Sequence, residues 1–100
     1  MITITVQKEN HKYQKISILG HAMYADRGKD IVCSAVSSIV ITTVNGILLL
    51  NKGSLSYMVG KKGMNIELKG NDDTTQLLIH NMVNLLKDLE KQYPENVEVK

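Results

Sequence analysis

The sequence predicts an α+β fold, a two-layer sandwich of ββαββα order with a four-stranded sheet and two helices. Three observations carry this prediction. Residues 2–20 and 55–68 alternate apolar and polar side chains at period two, in two pairs of short runs. Residues 31–50 carry no charge and make a run too long for one strand of a small domain. Residues 73–93 place apolar side chains at spacings of three and four.

In order, Ile2, Ile4 and Val6 alternate with Thr3, Thr5 and Gln7, a half-buried strand. A polar turn over 9–12 leads to a second strand at 13–20, with Ile16 and Ile18 on one face, and the two form a hairpin. The first helix runs from Ile31 to about Leu50, with Asp30 as its N-cap and Val32, Val36, Ile39, Thr43, Ile47 and Leu50 on one face. Residues 51–53, Asn-Lys-Gly, close it. Leu55, Tyr57 and Val59, then Met64, Ile66 and Leu68, make a second hairpin around the turn "GKKG" at 60–63. Asp73 with Gln76 reads as a capping box before a helix whose stripe is Leu78, Met82, Leu85, Leu86, Leu89 and Tyr93, ended by Pro94. The polar residues after it read as loose. Both helices are expected on one face of the sheet.

The length of 100 residues fits a single domain, 1–100. With 43% hydrophobic and 22% charged residues, the chain reads as globular rather than disordered. Four Tyr and no Trp or Phe make the core aliphatic and Met-rich. A net charge of +2 does not by itself argue for nucleic acid. One cysteine cannot form an internal disulfide, which suits a reducing compartment, and "MITITVQKEN" lacks the basic start and apolar block of a signal peptide. A cytoplasmic location is therefore expected. The run at 31–50 is long enough to cross a bilayer, but Ser34, Ser37, Ser38, Thr42, Thr43, Asn45 and Gly46 interrupt it. It reads instead as a central helix buried on most sides, with no membrane partner.

Chemistry concentrates in "GHAMYADRGKDIVCSAVS", residues 20–37. Cys33 is the third residue after the proposed cap, in the first helical turn, where free N–H groups and the helix dipole favour a thiolate. His21 follows the end of a strand, and an imidazole there can share the thiol proton if strand end and helix start meet at one edge. The backbone N–H groups of Cys33 and Ser34 are candidates for an oxyanion hole. Taken singly, Cys33 also reads as a small core residue and His21 as a satisfied polar one. Asp30 stabilises the helix as a cap but opposes a nearby thiolate, or it orients His21.

The residues "GHA", "YA", "G" and "DIVCSAVS" resemble the signature of the bacterial ribosomal-processing cysteine proteases, the Prp family. The match covers Gly20, His21, Ala22, Tyr24, Ala25, Gly28, Asp30, Ile31, Val32, Cys33, Ala35, Val36 and Ser37. It departs at Ser34, where Ala is common, and at Met23, which is often small. The resemblance implies a homodimeric peptidase that removes a short N-terminal extension from a large-subunit ribosomal protein, cutting after an apolar, often aromatic, pair. It implies Cys33 as nucleophile and His21 as general base, with Gly20 and Gly28 letting the loop at 22–29 fold over the peptide. Ala22 and Tyr24 lie in that loop, Tyr24 as a contact for an apolar substrate side chain. Ser37, one turn beyond Cys33, supports the site or the helix.

The alternative is a non-catalytic ribosome- or RNA-binding protein. "VGKKGMNI" at 59–66 resembles the GxxG loop of KH domains, although its flanks behave as strands. Lys52, Lys61, Lys62 and Lys69 would form the basic patch. Neither a metal nor a cofactor is expected, because His11, His21, His80 and Cys33 show no ligand spacing. His80 is expected in solvent.

Overall fold

Alternation at period two produces the first hairpin, β1 (Ile2–Glu9) and β2 (Lys12–Leu19). The computed structural model describes residues 1–20, 31–70 and 72–100. Within them follow α1 (Ile31–Leu50), β3 (Leu55–Gly60), β4 (Gly63–Leu68), α2 (Asp73–Gln92) and β5 (Val97–Val99). The sheet has five strands in the order β3-β4-β2-β1-β5. It is mixed, because β5 runs parallel to β1 while the other pairs are antiparallel.

The fifth strand corrects the expected four-stranded ββαββα order and the expected loose end. Val97 pairs with Ile2 and Val99 with Ile4, and the Lys100 amide donates to the Ile4 carbonyl at 2.8 Å. Three residues carry too little pattern to signal a strand. The strand exists because α2 delivers them beside the unpaired edge of β1.

Register sets one apolar face. Ile4 opposes Ile18, and Ile18 opposes Met64. Val6 opposes Ile16, which opposes Ile66, which opposes Tyr57. These side chains and both helices enclose a single aliphatic core. The opposite face carries Thr3, Thr5, Lys15, Ser17, Asn65 and Glu67, with the Ser17 hydroxyl donating to Asn65 Oδ1 at 2.8 Å.

Both helical stripes are rotated from their expected positions. In α1 the buried residues are Val32, Cys33, Val36, Val40, Val44 and Ile47, six of its 20. Ile39 and Thr43 are only half-buried, and Leu50 is 69% exposed. A helix apolar on every side gives no contrast from which to read its inner face. Nor is it buried on most sides, since Ile31, Ile41 and Leu49 are also exposed. α1 is long and apolar enough by composition to span a membrane, yet its inner stripe is part of the core. In α2 the buried set is Thr75, Ile79, Met82, Val83, Leu86 and Leu89, while Leu85 and Tyr93 are exposed.

The capping box at Asp73 and Gln76 does not form. Asp72 is the N-cap, and its carboxylate accepts the Thr75 hydroxyl at 2.6 Å. That hydroxyl is the main reason the Asp72 carboxyl lies below its ordinary value. Gln76 turns to the sheet instead. Its Oε1 accepts the Tyr13 amide at 2.8 Å, and its Nε2 donates to the Tyr13 carbonyl at 3.0 Å.

These links orient the helices. α2 starts beside Tyr13 and ends where Val97 meets Ile2, so it spans the sheet from the start of β2 to its end. α1 closes through Asn51 and Ser54, and the Lys69 amide donates to the Ser54 carbonyl at 2.8 Å. This anchors its C-terminus at the Tyr13 end of the sheet. A helix of 20 residues is about 30 Å long, so its N-terminus, with Cys33, lies toward the Gly20 end.

Candidate active site

The Gly20 end is built from backbone. β2 finishes at Leu19 and the chain leaves the sheet at Gly20, whose φ of +79° suits glycine. A Cβ there would collide with the Met1 carbonyl, and the Gly20 amide donates to the Lys62 carbonyl at 3.2 Å. Gly63 is equally constrained, because a Cβ would collide with the Ile18 carbonyl. Two strand ends, the β3–β4 turn and the start of β1 are thus held close together without large side chains.

Cys33 is the third residue of α1 and is 4% exposed, packed in the core cluster beside Val32 and Val36. Ser34, the next residue, is exposed, and Ser37, one turn on, is half-buried. No acidic side chain occupies the first turn of α1, and the whole helix is uncharged. Nothing on α1 itself therefore offsets the positive potential of its N-terminus at Cys33. First-turn N–H groups at such a position favour negative charge.

His21, Ala22, Tyr24, Gly28 and Asp30 lie outside the described residues. Of the expected site, the structure places Gly20, Cys33, Ser34 and Ser37. Among the described residues, no group of His, Cys, Asp and Glu could hold a metal ion.

The basic hairpin divides in two. Lys61 and Lys62 sit at the β3–β4 turn, whereas Lys52 and Lys69 flank the opposite ends of those strands. Six-residue strands separate the pairs by about 20 Å, so the four lysines do not make one patch. The "GKKG" turn joins strands, not the helices of a KH domain.

The exposed His80 has a partner that sequence spacing did not suggest. Its Nδ1 lies 2.6 Å from the Tyr13 hydroxyl. Burial raises the Tyr13 phenol above its ordinary value. The available signal was Tyr13 itself, an aromatic residue at the start of an otherwise aliphatic strand.

Comparison with known proteins agrees with this architecture. Residues 1–98 match the family model of the cysteine protease Prp. The ribosomal processing cysteine protease Prp of Bacillus subtilis is 27% identical over 110 residues, covering 99% of this chain and 96% of the relative. The crystal structure of the ribosomal processing protease Prp from S. aureus with a substrate peptide superposes with a TM-score of 0.89 at 27% identity, covering 100% of this chain and 98% of that one. The same S. aureus protease with a covalently linked product peptide gives 0.90 at 27% identity and the same coverage. This chain therefore belongs to the cysteine protease Prp family.

Proposed function

We propose that this peptidase removes a short N-terminal extension from a large-subunit ribosomal protein, cutting after an apolar or aromatic pair. The observation that carries the reading is Cys33 in the first turn of an uncharged helix, at the backbone-built end of the sheet. The covalently linked product peptide of the S. aureus relative supports acyl transfer through a protein nucleophile.

In this mechanism His21 takes the Cys33 proton. The thiolate Sγ attacks the scissile carbonyl, and the oxyanion accepts from first-turn N–H groups of α1, that of Ser34 included. His21 returns the proton to the leaving amine as the C–N bond breaks. Water, deprotonated by His21, then hydrolyses the thioester and restores the thiol. The same reading assigns Ser37 to support of the helix, Asp30 to its cap, Gly20 and Gly28 to freedom of the intervening chain, and Ala22 and Tyr24 to substrate contact.

The burial of Cys33 adds one property: a bound peptide exposes the sulfur. A neutral alkylating agent then reacts slowly with the free protein and faster once peptide is bound. The enzyme works in the cytoplasm as a homodimer, for which the exposed Ile41, Leu49, Leu77 and Leu85 supply apolar surface.

Mass spectrometry of a ribosomal-protein N-terminal peptide incubated with the protein and with Cys33→Ala tests the reading. One cut after the apolar pair, absent in the variant, is expected. No cut by the correctly folded protein would overturn it in favour of a binding role.

A further inference from the structure

A second cleft lies toward the other end of the molecule, between α2 and the β1 edge. β5 pairs with β1 from Ile2 to Ile4, and Lys100 carries the contact to Val6, whose amide donates to the Lys100 carbonyl at 3.1 Å; beside this edge α2 and β1 leave a space open. The resulting cavity has a volume of about 380 Å³ and is lined by Val6, Tyr13, Val83 and Val99. That volume lies within the range of small-molecule sites, which are mostly apolar with a few placed polar groups.

The polar groups here are ammonium ions. Lys8 and Lys87 line the cavity from β1 and α2, and Lys100 lines it beyond β5. Lys8 Nζ stands 4.6 Å from the centre of the Tyr13 ring. Among the described residues, neither Lys8 nor Lys87 has a carboxylate partner. No acidic side chain is among the lining residues. Two carboxylates engage residues of the rim: Glu90 Oε2 accepts the Val99 amide at 3.0 Å, and Glu98 faces Lys100 Nζ at 3.8 Å, which leaves Lys8 and Lys87 as the ammonium groups that no described carboxylate pairs.

We propose that this cleft is a binding site for a small organic anion with an apolar, preferably aryl, body, held by Lys8 and Lys87 and seated on the valine and tyrosine walls. It is separate from Cys33, which lies toward the opposite end of the sheet. The body gains by leaving water, and the two ammonium groups select for negative charge at the mouth.

The test titrates three probes into the full-length protein, followed by amide chemical shifts and calorimetry. Phenylacetate carries both body and charge, benzyl alcohol the body alone, and acetate the charge alone. Saturable phenylacetate binding is expected, with shifts at Val6, Tyr13, Val83 and Val99, and about tenfold weaker binding of the other two probes. Lys8→Glu and Lys87→Glu, both at exposed positions, should each weaken phenylacetate at least about tenfold while leaving the rest of the spectrum intact. The proposal is overturned if these amides do not move at about 10 mM phenylacetate, if the shifts gather around Cys33, or if either charge reversal binds as well as the parent.

Discussion

The two ends of the sheet are built on opposite terms. At the Gly20 end, backbone meets backbone: Gly20 against Met1, Gly63 against Ile18, and an uncharged helix start carrying one sulfur. At the Tyr13 end, side chains do the joining. Gln76 clasps both backbone groups of Tyr13, His80 meets its hydroxyl, and Lys12 pairs with Asp73 at 3.6 Å on the surface. The difference teaches that backbone contacts shape the end that carries the candidate nucleophile, while side-chain hydrogen bonds fasten the other. No charged side chain of α1 itself opposes the dipole at its N-terminus. The far end uses polar side chains to fix α2 against β2.

The comparison breaks most visibly at Cys33. Cys33→Ala should abolish peptide cleavage, by at least about 10³-fold, with a melting temperature within a few degrees of the parent. Residual turnover near the parent rate would remove Cys33 from the mechanism. Next is Gly63→Ala, which forces a Cβ against the Ile18 carbonyl at φ +150°. A loss of roughly 3 kcal/mol in denaturant unfolding is expected, and a neutral result would mean that this end has room to relax.

Effects at the Tyr13 end should fall on stability alone. Gln76→Ala leaves the Tyr13 amide and carbonyl without partners and should cost about 2 kcal/mol, with unchanged kcat/KM for the folded fraction. A large drop in kcat/KM would show that the two ends are coupled. Tyr13→Phe removes the hydroxyl that meets His80 and should cost about 1 kcal/mol. It also sharpens the pH response. Burial holds the Tyr13 phenol above its ordinary value of 10.0, so the unfolded chain loses that proton first. Stability is intact below pH 10 and declines as pH rises through the folded value. Tyr57 is raised in the same direction, so Tyr13→Phe should flatten only part of the alkaline limb. Parallel alkaline curves for variant and parent would refute the assignment to Tyr13.

Much of this was legible before any coordinates. The uncharged run from Ile31 to Leu50 is α1 at those limits, because twenty apolar and small residues in a small domain have little option but a helix. The two hairpins follow from strict alternation, which turns one face inward on every strand. Cys33 in a first helical turn followed from the same boundaries.

Three features were not local enough to read. Which side of α1 faces inward depends on where α2 and the sheet stand, since its apolar residues go all round. Gln76 is close enough to Asp73 to suggest a capping box, but the backbone of Tyr13, 63 positions away, takes its amide. Lys8, Tyr13, Val83 and Val99 share no spacing in sequence and meet only where α2 packs beside β1 and β5.

The sequence by itself determined element type, family and the candidate nucleophile, because periodicity, charge and short motifs are properties of neighbouring residues. Only the tertiary structure decided the fifth strand, the inner faces of both helices and the lysine-lined cleft. Those depend on which distant backbone edges and side chains are left unpaired once the first elements have packed.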